Sequence, residues 1–97
     1  MTAKERNLIQ TTINKLTELD AEKDRLFKQL QALNVECGDG RKWCSVNANL
    51  EGVRQHGDEN QRNRALLMYR RYFEADAKED LLREFGQGLA DLGFWKH

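Results

Sequence analysis

The sequence predicts an all-α, mainly helical fold: a long N-terminal amphipathic helix packed as a helical hairpin or bundle against a kinked or broken C-terminal helical region. Three observations predict it. No proline occurs anywhere in the 97 residues, so no helix interior loses a backbone donor to a pyrrolidine ring. Charged residues make up 33% and hydrophobic residues 39%, a balance suited to helices with one buried stripe and one solvated face. Apolar residues then recur in heptads across the first third of the chain.

The length allows one domain with a single modest core. Within it the chain divides into a coiled-coil-like helix at 1–34, a connector at 35–57 and a second helical region at 58–97.

The first helix opens on a capping box. Thr2 and Glu5 stand three apart, so the hydroxyl and the carboxylate can each satisfy an orphan backbone N–H. From there to about Asn34 nothing interrupts the helix. Ile9, Leu16, Lys23, Leu30 and Cys37 fall at one heptad position, and Thr12, Leu19, Leu26 and Leu33 at the other. Ile13 and Phe27 widen the seam. Ile9, Leu16, Leu19, Leu26, Leu30 and Leu33 are the candidate oligomerisation or docking residues. Two covers are open to them: a second chain, or residues 59–92 of the same chain folded back antiparallel. A parallel homodimer would set Lys15 opposite Asp20 and bring Lys23 against Lys23. The expected state is a homodimer, since helical hairpins of this size often pair into four-helix bundles.

The connector admits two readings. Cys37-Gly38-Asp39-Gly40 is a turn signal, and its flanks could form a small β-hairpin. Val46, Leu50 and Val53 equally have the spacing of a short helix ending near Gly57, with Gly52 counting against it. Trp43 is the residue expected to anchor the segment.

The second helical region begins at Asp58, with Gln61 completing another capping box. Leu66, Tyr69, Phe73 and Ala77 share a face. Leu81, Phe85, Leu89 and Leu92 share another, rotated by roughly 100°. A straight helix cannot aim both at one flat partner, so a kink or break is expected near 75–78. Asp76 and Glu79 have capping-box spacing at that point.

Charge excludes some partners. Lys and Arg together number 16, as do Asp and Glu, so no global field draws the chain to DNA or to a membrane. No segment approaches the ~20 apolar residues of a membrane span, and the charged N-terminus does not resemble a signal core. The expected location is the cytoplasm. The charge is nonetheless uneven. Residues 41–71 carry seven basic side chains against three acidic, whereas 74–84 carry five acidic against two basic.

That basic stretch holds the candidate partner-binding residues. Arg62, Arg64, Arg70 and Arg71, preceded by Arg41, Lys42 and Arg54, could meet an acidic protein surface. With Tyr69 and Tyr72 between them they could instead lie along phosphates, or form a solvated helix face. Trp95, beside Phe94, is either an exposed anchor or a cap on the bundle.

Cys37, Cys44, His56 and His97 are potential zinc ligands, but six residues separate the cysteines, wider than the usual knuckle. The plainer expectation is two free thiols, Cys37 in the seam and Cys44 buried. No metal and no cofactor is therefore expected. Gly38-Asp39-Gly40 lacks the strand and the Gly-Lys-Ser/Thr of a phosphate loop, and neither histidine forms an obvious pair with a nucleophile. The expected function is that of a non-enzymatic protein–protein interaction module. Such a module would regulate or inhibit a larger protein or complex in the manner of phage and mobile-element proteins. The alternative is a dimeric nucleic-acid-associated regulator using residues 54–71.

Overall fold

The computed structural model describes residues 2–39 and 43–91, with side chains to residue 86. Three helices account for most of it: α1 (Ala3–Glu36), α2 (Val46–His56) and α3 (Glu59–Asp91). The two long helices run antiparallel. Lys23 of α1 meets Asp76 and Glu79 of α3, and Glu36 near the end of α1 meets Arg64 near the start of α3. The short α2 packs across both at the connector end, giving a rod of 55 × 20 × 15 Å.

Each helix starts where its residues dictate. The Thr2 hydroxyl accepts from the Glu5 N–H at 3.2 Å, while the Glu5 carboxylate accepts from the Thr2 N–H at 2.9 Å. The Asp58–Gln61 pair caps α3 in the same reciprocal way, at 2.8 and 2.9 Å. Ser45 caps α2 through the Ala48 N–H. Helix α1 stops at Cys37, and Gly38 follows at φ +88°, a left-handed conformation that costs glycine nothing.

The connector resolves as the short helix. Among the described residues there is no strand; residues 40–42 of the suggested β-hairpin lie outside them. Val46 and Val53 are buried on one side of α2 and join Leu30, Leu33 and Ala65 in the core, with Phe27, Cys37, Leu50, Met68, Tyr69 and Tyr72 packed around them. Gly52, which weakens the helical reading by propensity, is what lets α2 approach α1. A Cβ there would lie 1.9 Å from Asn34 Nδ2 and 2.7 Å from an Asp39 carboxylate oxygen. Asn34 Nδ2 donates to the Asn49 carbonyl at 3.2 Å. Trp43 anchors the connector through its backbone: its carbonyl accepts from Gln31 and Asn49, and its indole N–H donates to Asp39.

The α1 seam lies as its heptads require. Leu19, Leu26, Leu30 and Leu33 are buried, and Ile9 and Leu16 are half-buried. Full burial of such side chains is worth about 1.5–3 kcal/mol each, and here α3 and α2 of the same chain supply the cover. Lys23 consequently faces acidic residues of its own chain and not a second Lys23.

Helix α3 runs unbroken from Glu59 to Asp91, so the expected break near 75–78 is absent. The reason lies in which residues face α1. Ala65, Met68, Tyr72, Ala75, Glu79, Leu82 and Gly86 are among its buried or half-buried positions, a three–four alternation that an unbroken helix holds on one side. Asp76 and Glu79 do not cap anything; both are engaged with Lys23 in mid-helix. The apolar stripes that suggested a break point elsewhere.

Candidate interaction surface

The hairpin closes over a charged centre. Glu79 is fully buried, and its Oε2 lies 3.5 Å from Lys23 Nζ; its other oxygen accepts from Arg83 one turn on. Lys23 Nζ donates to Asp76 at 2.7 Å and stands 5.4 Å over the Tyr72 ring. The Asp76 hydrogen bond raises the Lys23 pKa, against a burial effect that would lower it. Ala75, one turn before Glu79, is buried beside this group.

With that side of α3 taken, its larger apolar residues are left outside. Leu66, Phe73, Ala77 and Leu81 fall within an arc of about 80° at 3.6 residues per turn, roughly opposite the α1-facing side. They are exposed: Leu66 by 46%, Phe73 by 41% and Leu81 by 67%. Tyr69, Arg70, Phe73, Glu74 and Ala77 line a depression of ≈ 520 Å³ in the middle of this face. One edge is held firm, since the Tyr69 hydroxyl donates to Asn47 of α2 at 2.9 Å and its ring lies 4.6 Å from that of Phe73.

Beyond Glu59 at its start, the face is electrically graded. Arg62 and Arg70 precede Phe73 along it, and Glu74, Asp80 and Glu84 follow, all exposed. Arg62 also donates to the Gly57 carbonyl. The remaining sequence candidates scatter. Arg54 sits on α2 beside Glu51, Arg64 pairs with Glu36 at 3.3 Å, and Arg71 projects from the flank of α3 that lies away from Tyr69. Helix geometry thus divides the described arginines among several directions. Arg41, Lys42 and Trp95, with Phe94, Leu92 and His97, lie outside the described residues.

No protein-family model matches the chain, and comparison with curated proteins and with solved structures finds no significant similarity.

The remaining candidates are placed as follows. Cys37 packs against the core and Cys44 is exposed; both are free thiols. The expected burial of Cys44 is therefore corrected. It belongs to the bend before Ser45, outside α2, so no helix carries it inward. Burial pushes the Cys37 thiol pKa up, with Glu36 and Asp58 adding to the effect. Among the described residues no group of three or more His, Cys, Asp or Glu side chains could hold a metal ion, and no helix is long and apolar enough to cross a membrane. The described residues also form a notch of ≈ 560 Å³ beside Trp43, Glu51 and His56 and a groove of ≈ 480 Å³ between Leu8, Thr12, Leu82 and Phe85.

Sequence reasoning mislaid the buried side of α3. Its signal was present in the spacing 65-68-72-75-79-82-86, masked by glutamate and glycine at core positions. Lys23 in the opposite seam was the clue, because a buried cation calls for a buried anion.

Proposed function

We propose that this chain is a non-enzymatic protein–protein interaction module that docks through the outward face of α3. The observation that carries the reading is that α3 has two stripes of which only one is covered. The α1-facing stripe from Ala65 to Gly86 is covered, whereas Leu66, Phe73, Ala77 and Leu81 are exposed on the other side. A contiguous apolar strip rimmed by charges is the usual mark of a docking surface, and aromatic and arginine side chains of the kind found here supply most interface energy. A regulatory or inhibitory role of the phage and mobile-element type fits a small module that works by covering part of a larger protein.

A photo-crosslinking residue tests this. Placed at Ala77 it captures a protein in cells of the source organism, whereas at Gln29, on the exposed side of α1, it does not. Equal capture from both positions, or none from Ala77, overturns the reading.

A further inference from the structure

We infer that the partner on the outward face of α3 is a second copy of this chain, paired antiparallel about a two-fold axis near the middle of the helix. The inference rests on reading that face as a docking surface, and it adds the occupant and the geometry. Its ground is the charge gradient. From Arg62 onward the order along the face is Arg62, Leu66, Arg70, Phe73, Glu74, Ala77, Asp80, Leu81, Glu84, with the arginines on the N-terminal side of Phe73 and the carboxylates on its C-terminal side. Such a stripe is its own complement when reversed.

With the axis between Phe73 and Glu74, the Phe73 rings of the two copies meet at the centre. Arg62 then comes alongside Glu84 of the second copy, and Arg70 lies within one turn of its Asp80. Leu66 falls beside Leu81 of the second copy. Four charge pairs flank an apolar centre by symmetry, as an isologous interface requires. A parallel pairing would instead stack arginine on arginine and glutamate on glutamate, which interfaces avoid. The stretch from Arg62 to Glu84 is roughly 33 Å long at 1.5 Å per residue, enough for sustained contact between two straight helices. The unbroken course of α3 is what makes this possible; a kink at 75–78 would fall within the contact. A foreign protein with a helix of the same graded pattern would compete for the same face.

Mass measurement by light scattering over a concentration series is the first test, with the full chain expected as a dimer. Arg62→Glu with Arg70→Glu, and separately Asp80→Arg with Glu84→Arg, should each weaken dimerisation at least tenfold while circular dichroism stays helical. Mixing the two charge-reversed chains should restore a heterodimer. Orientation is read in a Cys44→Ser background with a short bis-maleimide: Leu66→Cys and Leu81→Cys chains should cross-link to each other when mixed, and neither to itself. Self-linking of Leu66→Cys overturns the antiparallel geometry. A monomer at every concentration, or a dimer indifferent to both charge reversals and to Phe73→Glu, overturns the second copy as occupant. A monomer that still captures a foreign protein at Ala77 leaves the docking surface standing and removes only the self-pairing. A monomer that captures nothing there removes both.

Discussion

Lys23 and Glu79 meet in the middle of the hairpin, and their consequences are measurable. Glu79 is fully buried and the Lys23 side chain is 17% exposed, so removing the lysine strands an anion out of water. Lys23→Met should cost about 3–5 kcal/mol in urea unfolding, and Lys23→Met with Glu79→Leu should recover most of it. Equal losses in the single and double variants would show that the two residues are not coupled. The pair also sets a pH dependence. Because the folded pKa of Lys23 lies above the ordinary 10.5, its contribution is complete below that value and fades as pH rises through the folded one. Melting curves at alkaline pH should therefore fall more steeply for the native chain than for the double variant; parallel declines would contradict this. At the connector end, Gly52→Ala drives a methyl into Asn34, at a cost of about 1–3 kcal/mol typical of overpacking. The thiols divide in the same local way: Cys44, exposed, should react with a thiol reagent well before Cys37, whose core contacts raise its pKa.

Among the elements, α1 was legible except at Ile13, which was expected to widen the seam and is 38% exposed, and α3 was not. The heptad leucines of α1 are large and apolar, so periodicity alone names the covered side, and Leu26→Asp should unfold the chain because Leu26 is 2% exposed. Retained helicity after that change would refute the seam. In α3 the rule that the greasiest stripe goes inside failed. Ala65, Ala75 and Gly86 lie inside and Glu79 satisfies Lys23, so the helix buries its modest side and exposes Leu66, Phe73 and Leu81. Of the two stripes that looked like a kink, Leu66, Phe73, Ala77, Leu81 and Phe85 lie exposed on one unbroken helix, and Leu89 and Leu92 fall outside the described side chains. Amide exchange at 75–79 should then be as slow as in the flanking turns, whereas a fast-exchanging window there would restore the break. In α2 a short-range signal was missed: Ser45 three residues before Ala48 is an N-cap that favours the helix over the hairpin.

At the scale of the whole molecule, shape decides how much surface stays uncovered. The radius of gyration is 17.7 Å, against about 13 Å for a compact chain of this length. A rod only two helices thick over much of its length cannot enclose both sides of either helix. α2 thickens it at one end only, which leaves Leu8, Phe85 and the α3 face without a third layer. Pairing across α3 would supply that layer, and Phe73→Glu should lower the melting temperature of a dimeric sample while leaving the far-ultraviolet spectrum unchanged. A lower melting point with lost helicity would place Phe73 in the fold and not at an interface.

From its residues alone this chain determined a helical fold, the two capping boxes that begin its long helices, and the leucine seam of α1. Each of these depends on neighbours a few positions apart, whose relation is fixed by helix pitch and backbone hydrogen bonding. The tertiary structure decided which side of α3 turns inward, that the connector becomes a helix against Asn34, and which apolar residues remain for a partner. Those outcomes turn on a lysine and a glutamate 56 positions apart meeting in a space with little water, an encounter that local periodicity does not encode.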